Sequence, residues 1–151
     1  MSRVFTIKRE QTIPRDRKDV FSFFEDAGNL EKITPGFLHF RIATPLPIEM
    51  KEGTLIDYRL RLFGMPIKWR TLIETYEPPV RFVDMQLKGP YKVWHHTHEF
   101  EEVDEGTRMT DTVQYSLRFG PLGLVARSVF VKRTLGQIFD YRQQCIDEML
   151  G

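Results

Sequence analysis

Three of the chain's four histidines fall within the seven residues "WHHTHEF", from Trp94 to Phe100. Imidazoles at this density can ligate a metal, move protons near neutrality, or orient the polar end of a bound molecule. Side chains alternate along a β-strand, so Trp94, His96, His98 and Phe100 share one face, and Val93, His95, Thr97 and Glu99 the other. The aromatic residues at both ends of the first set predict that this set points inward.

The following segment "TRMTDTVQYSL" carries Met109, Asp111, Val113 and Tyr115 on one face. With Val103 to Gly106 as the loop, the predicted pairs are Phe100 with Met109, His98 with Asp111, His96 with Val113, and Trp94 with Tyr115. This register keeps every apolar side chain on one side, as a half-buried hairpin requires. A carboxylate beside an imidazole favours the charged form of each, whereas burial opposes both charges.

Four uses of this patch compete: a satisfied structural network, ligand recognition, acid/base catalysis by His98 with Asp111, and metal binding by His96, His98 and Asp111. Ligand recognition is the preferred reading, because pockets combine apolar walls with a few convergent polar groups. Two polar residues on one strand face arise too readily to carry a metal assignment, so neither a metal nor a cofactor is expected. In "RFVDMQL", Phe82, Asp84 and Gln86 share a side; if that side faces inward, Asp84 and Gln86 join the patch. Periodicity does not decide it.

Several elements must position these residues. Val4 to Ile13 reads as a first strand, followed by two short helices, one carrying Val20, Phe23 and Phe24 up to a break at Gly28, the other near Leu30 to Ile33 and stopped before Pro35. A strand near Phe40 to Thr44 precedes a run with period two. In that run Ile56, Tyr58, Leu60 and Leu62, then Trp69, Thr71 and Ile73, form an inner wall. Arg59, Arg61, Lys68, Arg70 and Glu74 form an outer, salt-bridged surface. From "GPLG" onward the period changes: Leu124, Val131, Leu135, Ile138, Cys145 and Met149 mark a long amphipathic helix. Gly136 inside it costs about 1 kcal/mol relative to alanine, which predicts that a missing side chain is needed there, either for close helix-to-sheet packing or, in the sharper reading, to leave room for a ligand. Leu135, Gly136 and Phe139 are therefore assigned to the cavity. Gly64, Gly120 and Gly123 sit in turns that could gate its mouth or simply be turns.

The 22 basic residues nearly cancel the 21 acidic ones, giving a formal charge of +1. That balance supplies no electrostatic reason for a nucleic-acid partner. The single cysteine, Cys145, excludes an intrachain disulfide and is expected to be buried. No window approaches the roughly 20 apolar residues of a bilayer span. One 1–151 domain, soluble and cytoplasmic, without stable membrane insertion, is the expectation; a protein partner cannot be named.

The order of elements is α+β. The stretches "VFSFFEDAGNLEKITP", "GTLIDYRLRLFGMPIKW", "YEPPVRFVDMQLKGPYKVWHHTHEF" and "FGPLG" together resemble ligand-binding SRPBCC proteins of the START-like, or polyketide cyclase and dehydrase, superfamily. The resemblance implies a helix-grip fold: a curved seven-stranded antiparallel sheet wrapped around the long C-terminal helix, two short helices after the first strand, and a cavity between sheet and helix. It also implies a range of activities, since lipid carriers, cyclases and dehydratases share the fold. The expected function is binding or carrying a small, mainly apolar molecule such as a lipid, quinone, isoprenoid or polyketide-like ring. The alternatives are a cyclase- or dehydratase-type enzyme using His98 and Asp111, or a ligand-controlled interaction module. The expected ligand-binding residues are Trp94, His96, His98, Phe100, Met109, Asp111 and Tyr115 on the hairpin, Asp84 and Gln86, Tyr58 and Trp69, and Leu135, Gly136 and Phe139.

Overall fold

A computed structural model describes residues 3–62, 64–118 and 121–151, without the side chains of 121–128. Gly120 and the side chain of Leu124 therefore lie outside the described residues. The elements run β1 (Val4–Ile13), α1 (Arg17–Glu25), α2 (Ala27–Lys32), β2 (Arg41–Ile42), β3 (Leu55–Leu62), β4 (Met65–Glu77), β5 (Arg81–Lys88), β6 (Val93–Val103), β7 (Gly106–Ser116) and α3 (Pro121–Leu150). The seven strands form one antiparallel sheet in the order β1-β7-β6-β5-β4-β3-β2. This is the helix-grip arrangement, with α3 held against the concave face.

The break between the two short helices falls at Asp26 rather than Gly28, because the Asp26 side chain accepts the Gly28 N–H at 2.9 Å and caps α2. The β6–β7 register is the one expected from the pattern: Phe100 opposite Met109, His98 opposite Asp111, His96 opposite Val113, Trp94 opposite Tyr115. The ladder extends further than expected, to Val103 opposite Gly106. At Gly106 φ is +135°, and a Cβ there would meet the Ile13 carbonyl oxygen at 2.3 Å. Only glycine lets β7 start so close to the end of β1.

Curvature comes from irregularities in β4. Ile73 pairs with Asp84 but Thr75 with Val83, so Glu74 is an extra residue. Such a bulge bends and twists the strand. It also moves the inward position from Thr75 to Tyr76, which pairs with inward Phe82. Buried Ile13, Val20, Phe21, Phe82, Phe100, Met109 and Ile146 form the core at one end of α3. At the other end Tyr91, Val113, Tyr115, Leu117, Leu135 and Phe139 form a second cluster.

The buried stripe of α3 is Leu135, Phe139, Arg142 and Ile146. The expected stripe through Cys145 and Met149 is thus turned by part of a helical step: Cys145 is only half-buried and Met149 is exposed. Among the described residues no helix is long and apolar enough to cross a membrane.

Candidate functional site

Between the sheet and α3 lies a cavity of about 190 Å3. One water needs only about 15 Å3 on this measure, so a molecule of several fused rings or a folded chain has room. Its walls are overwhelmingly apolar. The β3 face contributes Ile56, Tyr58, Leu60 and Leu62, and β4 contributes Trp69, Thr71 and Ile73, as their period-two pattern predicts. Helix α3 closes it with Leu135, Ile138 and Phe139, and the short helices and the following segment supply Phe23, Phe24, Leu30, Ile33, Leu38 and Phe40. At one end the wall is aromatic: the Trp69 and Trp94 rings meet edge to face at 5.4 Å, with Tyr91 against both. The Trp69 indole N–H donates to the Thr71 hydroxyl at 3.0 Å, which fixes the ring and leaves its apolar body to the cavity.

A cluster of ionisable side chains interrupts this surface. Asp84, His96, His98 and Arg142 line the cavity, and Asp111 stands behind them. His96 Nε2 lies 2.8 Å from Asp111 Oδ1, and His98 Nε2 lies 2.5 Å from Asp84 Oδ2. Ionised carboxylates only accept, so each of these nitrogens carries the proton and donates. Arg142 Nη2 donates to Asp111 Oδ1 at 3.3 Å, and the guanidinium lies over the Phe24 ring at 5.2 Å. The two imidazoles stack at 3.7 Å, and Phe82 stacks on His98 at 4.1 Å.

This geometry separates the protonation of the two histidines. Burial lowers the pKa of His96, as does the positive charge on His98, and the nearby carboxylates do not offset them. Burial acts the same way on His98, yet its contacts with Asp111 and Asp84 outweigh it and raise its pKa. Burial also opposes the charge on Asp111; Arg142 and the two imidazoles win, holding the carboxyl well below the usual carboxylate range. Asp84 is lowered too, the imidazoles and Arg142 outweighing its burial. The shifts thus favour the charged forms of Asp84, Asp111 and His98 beside Arg142, and the neutral form of His96. Burial of four charges is tolerable only with such compensation.

Asp84, His96 and His98 each offer a ligand atom within 4.8 Å of the others, a spacing that a metal ion could bridge. Protons already serve these contacts: the 2.5 Å approach of His98 to Asp84 is hydrogen-bond length, and His96 turns its Nε2 to Asp111.

Eight of the fourteen sequence-assigned residues meet in the cavity wall: Tyr58, Trp69, Asp84, Trp94, His96, His98, Leu135 and Phe139. Six do not line it. Phe100 and Met109 pack under α1 and the end of α3, with Phe100 against Phe21 at 5.2 Å. Tyr115 stacks on Phe5 at 5.3 Å within the second core cluster. Asp111 supports His96 and Arg142 from behind. Gln86 is inward but clamps the β5–β6 connection, accepting from Tyr91 N–H and donating to Tyr91 C=O at 3.1 and 2.8 Å. Gly136 faces β1: a Cβ there would meet only Arg9 Nη2, at 3.8 Å. The charged lining residue that pattern reading missed is Arg142. Its signal was a charged side chain at the three- and four-residue spacing of Leu135, Phe139 and Ile146.

The model of the family described as "Polyketide cyclase / dehydrase and lipid transport" matches residues 13–138. The chain belongs to this family. Solved structures agree in fold. TTHA0849 from Thermus thermophilus superposes with a TM-score of 0.75 at 17% identity, over 95% of this chain and 94% of that one. StfQ, a di-domain ARO/CYC from the steffimycin biosynthetic pathway, gives 0.76 at 12% identity, over 97% of this chain and 50% of StfQ. Ara h 8.0201 gives 0.62 at 16% identity, over 95% and 97%. No curated protein matches in sequence. Family membership supports a ligand-binding or cyclase-like role for the cavity, while identities this low speak for the fold alone.

Proposed function

We propose that the protein binds a small, mainly apolar molecule in the cavity between the sheet and α3. The carrying observation is an apolar chamber with one internally neutralised polar cluster at its wall. Chambers of this kind take up apolar bodies and fix their orientation with a few polar contacts. A lipid, isoprenoid, quinone or polyketide-like ring fits the lining. N-phenyl-1-naphthylamine, which is neutral and gains fluorescence in apolar surroundings, tests the reading. Saturable uptake near one equivalent supports it, provided that Ile138→Trp, which fills the cavity from α3, folds and abolishes uptake. Uptake unchanged in a folded Ile138→Trp overturns it.

A specific contact favours a second reading, an enzyme of the cyclase or dehydratase type. With its Nδ1 buried and its Nε2 2.5 Å from Asp84 Oδ2, His98 can exchange a proton with a bound carbonyl through Asp84, which faces the cavity. The residue proposed for this role is still His98, with Asp84 rather than Asp111 as its closer partner. Turnover of a poly-β-ketone lost in His98→Gln, with probe uptake retained, would establish it.

A further inference from the structure

The polar cluster is most open to the cavity at Asp84. Asp84 has a side chain 21% exposed, against 7% for His96, 5% for His98 and 9% for Arg142. Its Oδ2 is engaged by His98, and its Oδ1 has no hydrogen-bond partner among the described residues. Two of the cluster's donors behave in the opposite way: Arg142 Nε and His98 Nδ1 are buried without a hydrogen bond. The member of the cluster most open to an entering molecule is thus an acceptor.

From this asymmetry, and resting on the ligand-binding reading above, we propose that the cavity selects a neutral ring or chain bearing a hydroxyl, which donates to Asp84 Oδ1, and rejects carboxylate-bearing ligands. Charged hydrogen bonds are about twice as strong as neutral ones, so a hydroxyl gains where an apolar ligand leaves the carboxylate dry. A ligand carboxylate at the same point would meet the like charge of Asp84, which electrostatic repulsion and desolvation both oppose. Tyr58 lies on the same wall, where burial first, and then the charge on Asp84, keep its phenol protonated. A phenol kept protonated can add a neutral hydrogen bond to a ligand that reaches this wall.

Naphthalene, 2-naphthol and 2-naphthoate share one ring system and differ in this group alone. Isothermal or fluorescence titrations at pH 7 should show 2-naphthol binding about tenfold tighter than naphthalene, or roughly 1.4 kcal/mol, and 2-naphthoate at least as much weaker. Asp84→Asn should remove most of the penalty on 2-naphthoate. Equal affinities for all three in the wild-type protein would overturn the selectivity and leave the cavity reading intact. Preference for 2-naphthoate would overturn it in favour of Arg142 as the recognising group. If none of the three binds, the ligand-binding reading fails and this inference with it. The wild-type comparison decides the matter even if Asp84→Asn does not fold.

Discussion

Asp111 stands opposite His98 on the β6–β7 ladder, yet its shortest hydrogen bond, 2.8 Å, runs diagonally to His96, and His98 reaches instead across β5 to Asp84. Each carboxylate thus makes its shorter contact with a different imidazole, while His98 Nδ1 stays 3.4 Å from Asp111 Oδ1 and His96 Nδ1 3.8 Å from Asp84 Oδ2. The first prediction follows from this division. In an NMR titration His96 should be neutral at pH 7 with the proton on Nε2, and His98 should be protonated. Asp84→Asn should lower the pKa of His98, because it removes a hydrogen-bonded negative neighbour. Two histidines titrating together near the ordinary imidazole value of about 6.5, unmoved by Asp84→Asn, would contradict the arrangement.

Arg142 is the counter-charge that Asp111 depends on. Removing one partner of a buried ion pair costs about 3–5 kcal/mol, because the other is left uncompensated. Arg142→Met should therefore lower urea-unfolding stability by about 3 kcal/mol, toward the lower end since His98 supplies part of the positive charge. In the Asp111→Asn background the same substitution should cost far less. Equal losses in both backgrounds would mean that the two side chains act independently.

The cluster also gives stability a pH dependence of known sign. The Asp111 pKa is depressed in the folded state, so its contribution is present above the unfolded value of about 3.9 and lost as pH falls through the folded value. Asp111→Asn should be less stable than the parent at neutral pH and should show a shallower acid limb. For His98 the folded pKa is raised, so its contribution is full below about 6.5 and is lost as pH rises through the folded value. The stability gap between the parent and His98→Gln should therefore shrink as pH rises above about 6.5. A gap that widens over that range would reverse the assignment of the protonated histidine.

Gly136 tests the corrected boundary of the cavity. Its missing Cβ would meet only Arg9 Nη2 at an ordinary 3.8 Å, away from the cavity. Gly136→Ala should add about 1 kcal/mol through helix propensity and raise the melting temperature by about 2–4 °C. Uptake of the naphthylamine probe should not change. Loss of uptake in a stabilised Gly136→Ala would return this turn of α3 to the site.

Periodicity made the hairpin legible, because a register slip of one residue would have exposed Trp94, Phe100, Met109 and Tyr115 together. It also read the inner wall from Tyr58 to Ile73. It went astray where the period itself breaks. The extra Glu74 moves the inward position to Tyr76, and nothing in the local pattern marks that bulge. Arg142 was hidden for a related reason: a charged side chain on a buried face looks like the edge of the stripe, so the stripe was drawn through Cys145 and Met149. Its partner lies 31 residues away, and only the folded chain brings Asp111 to it. Gln86, Phe100, Met109 and Tyr115 do face inward, but facing inward does not distinguish cavity wall from packed core. That difference depends on where α1 and α3 rest on the sheet.

The most direct test of the central claim is amide and indole shift mapping with saturating N-phenyl-1-naphthylamine. The account predicts perturbations at the Trp69 and Trp94 indole N–H groups and at Leu135 and Phe139, with Arg59, Lys68 and His95 on the convex face unmoved. Perturbations confined to the convex face, or none at saturation, would contradict it.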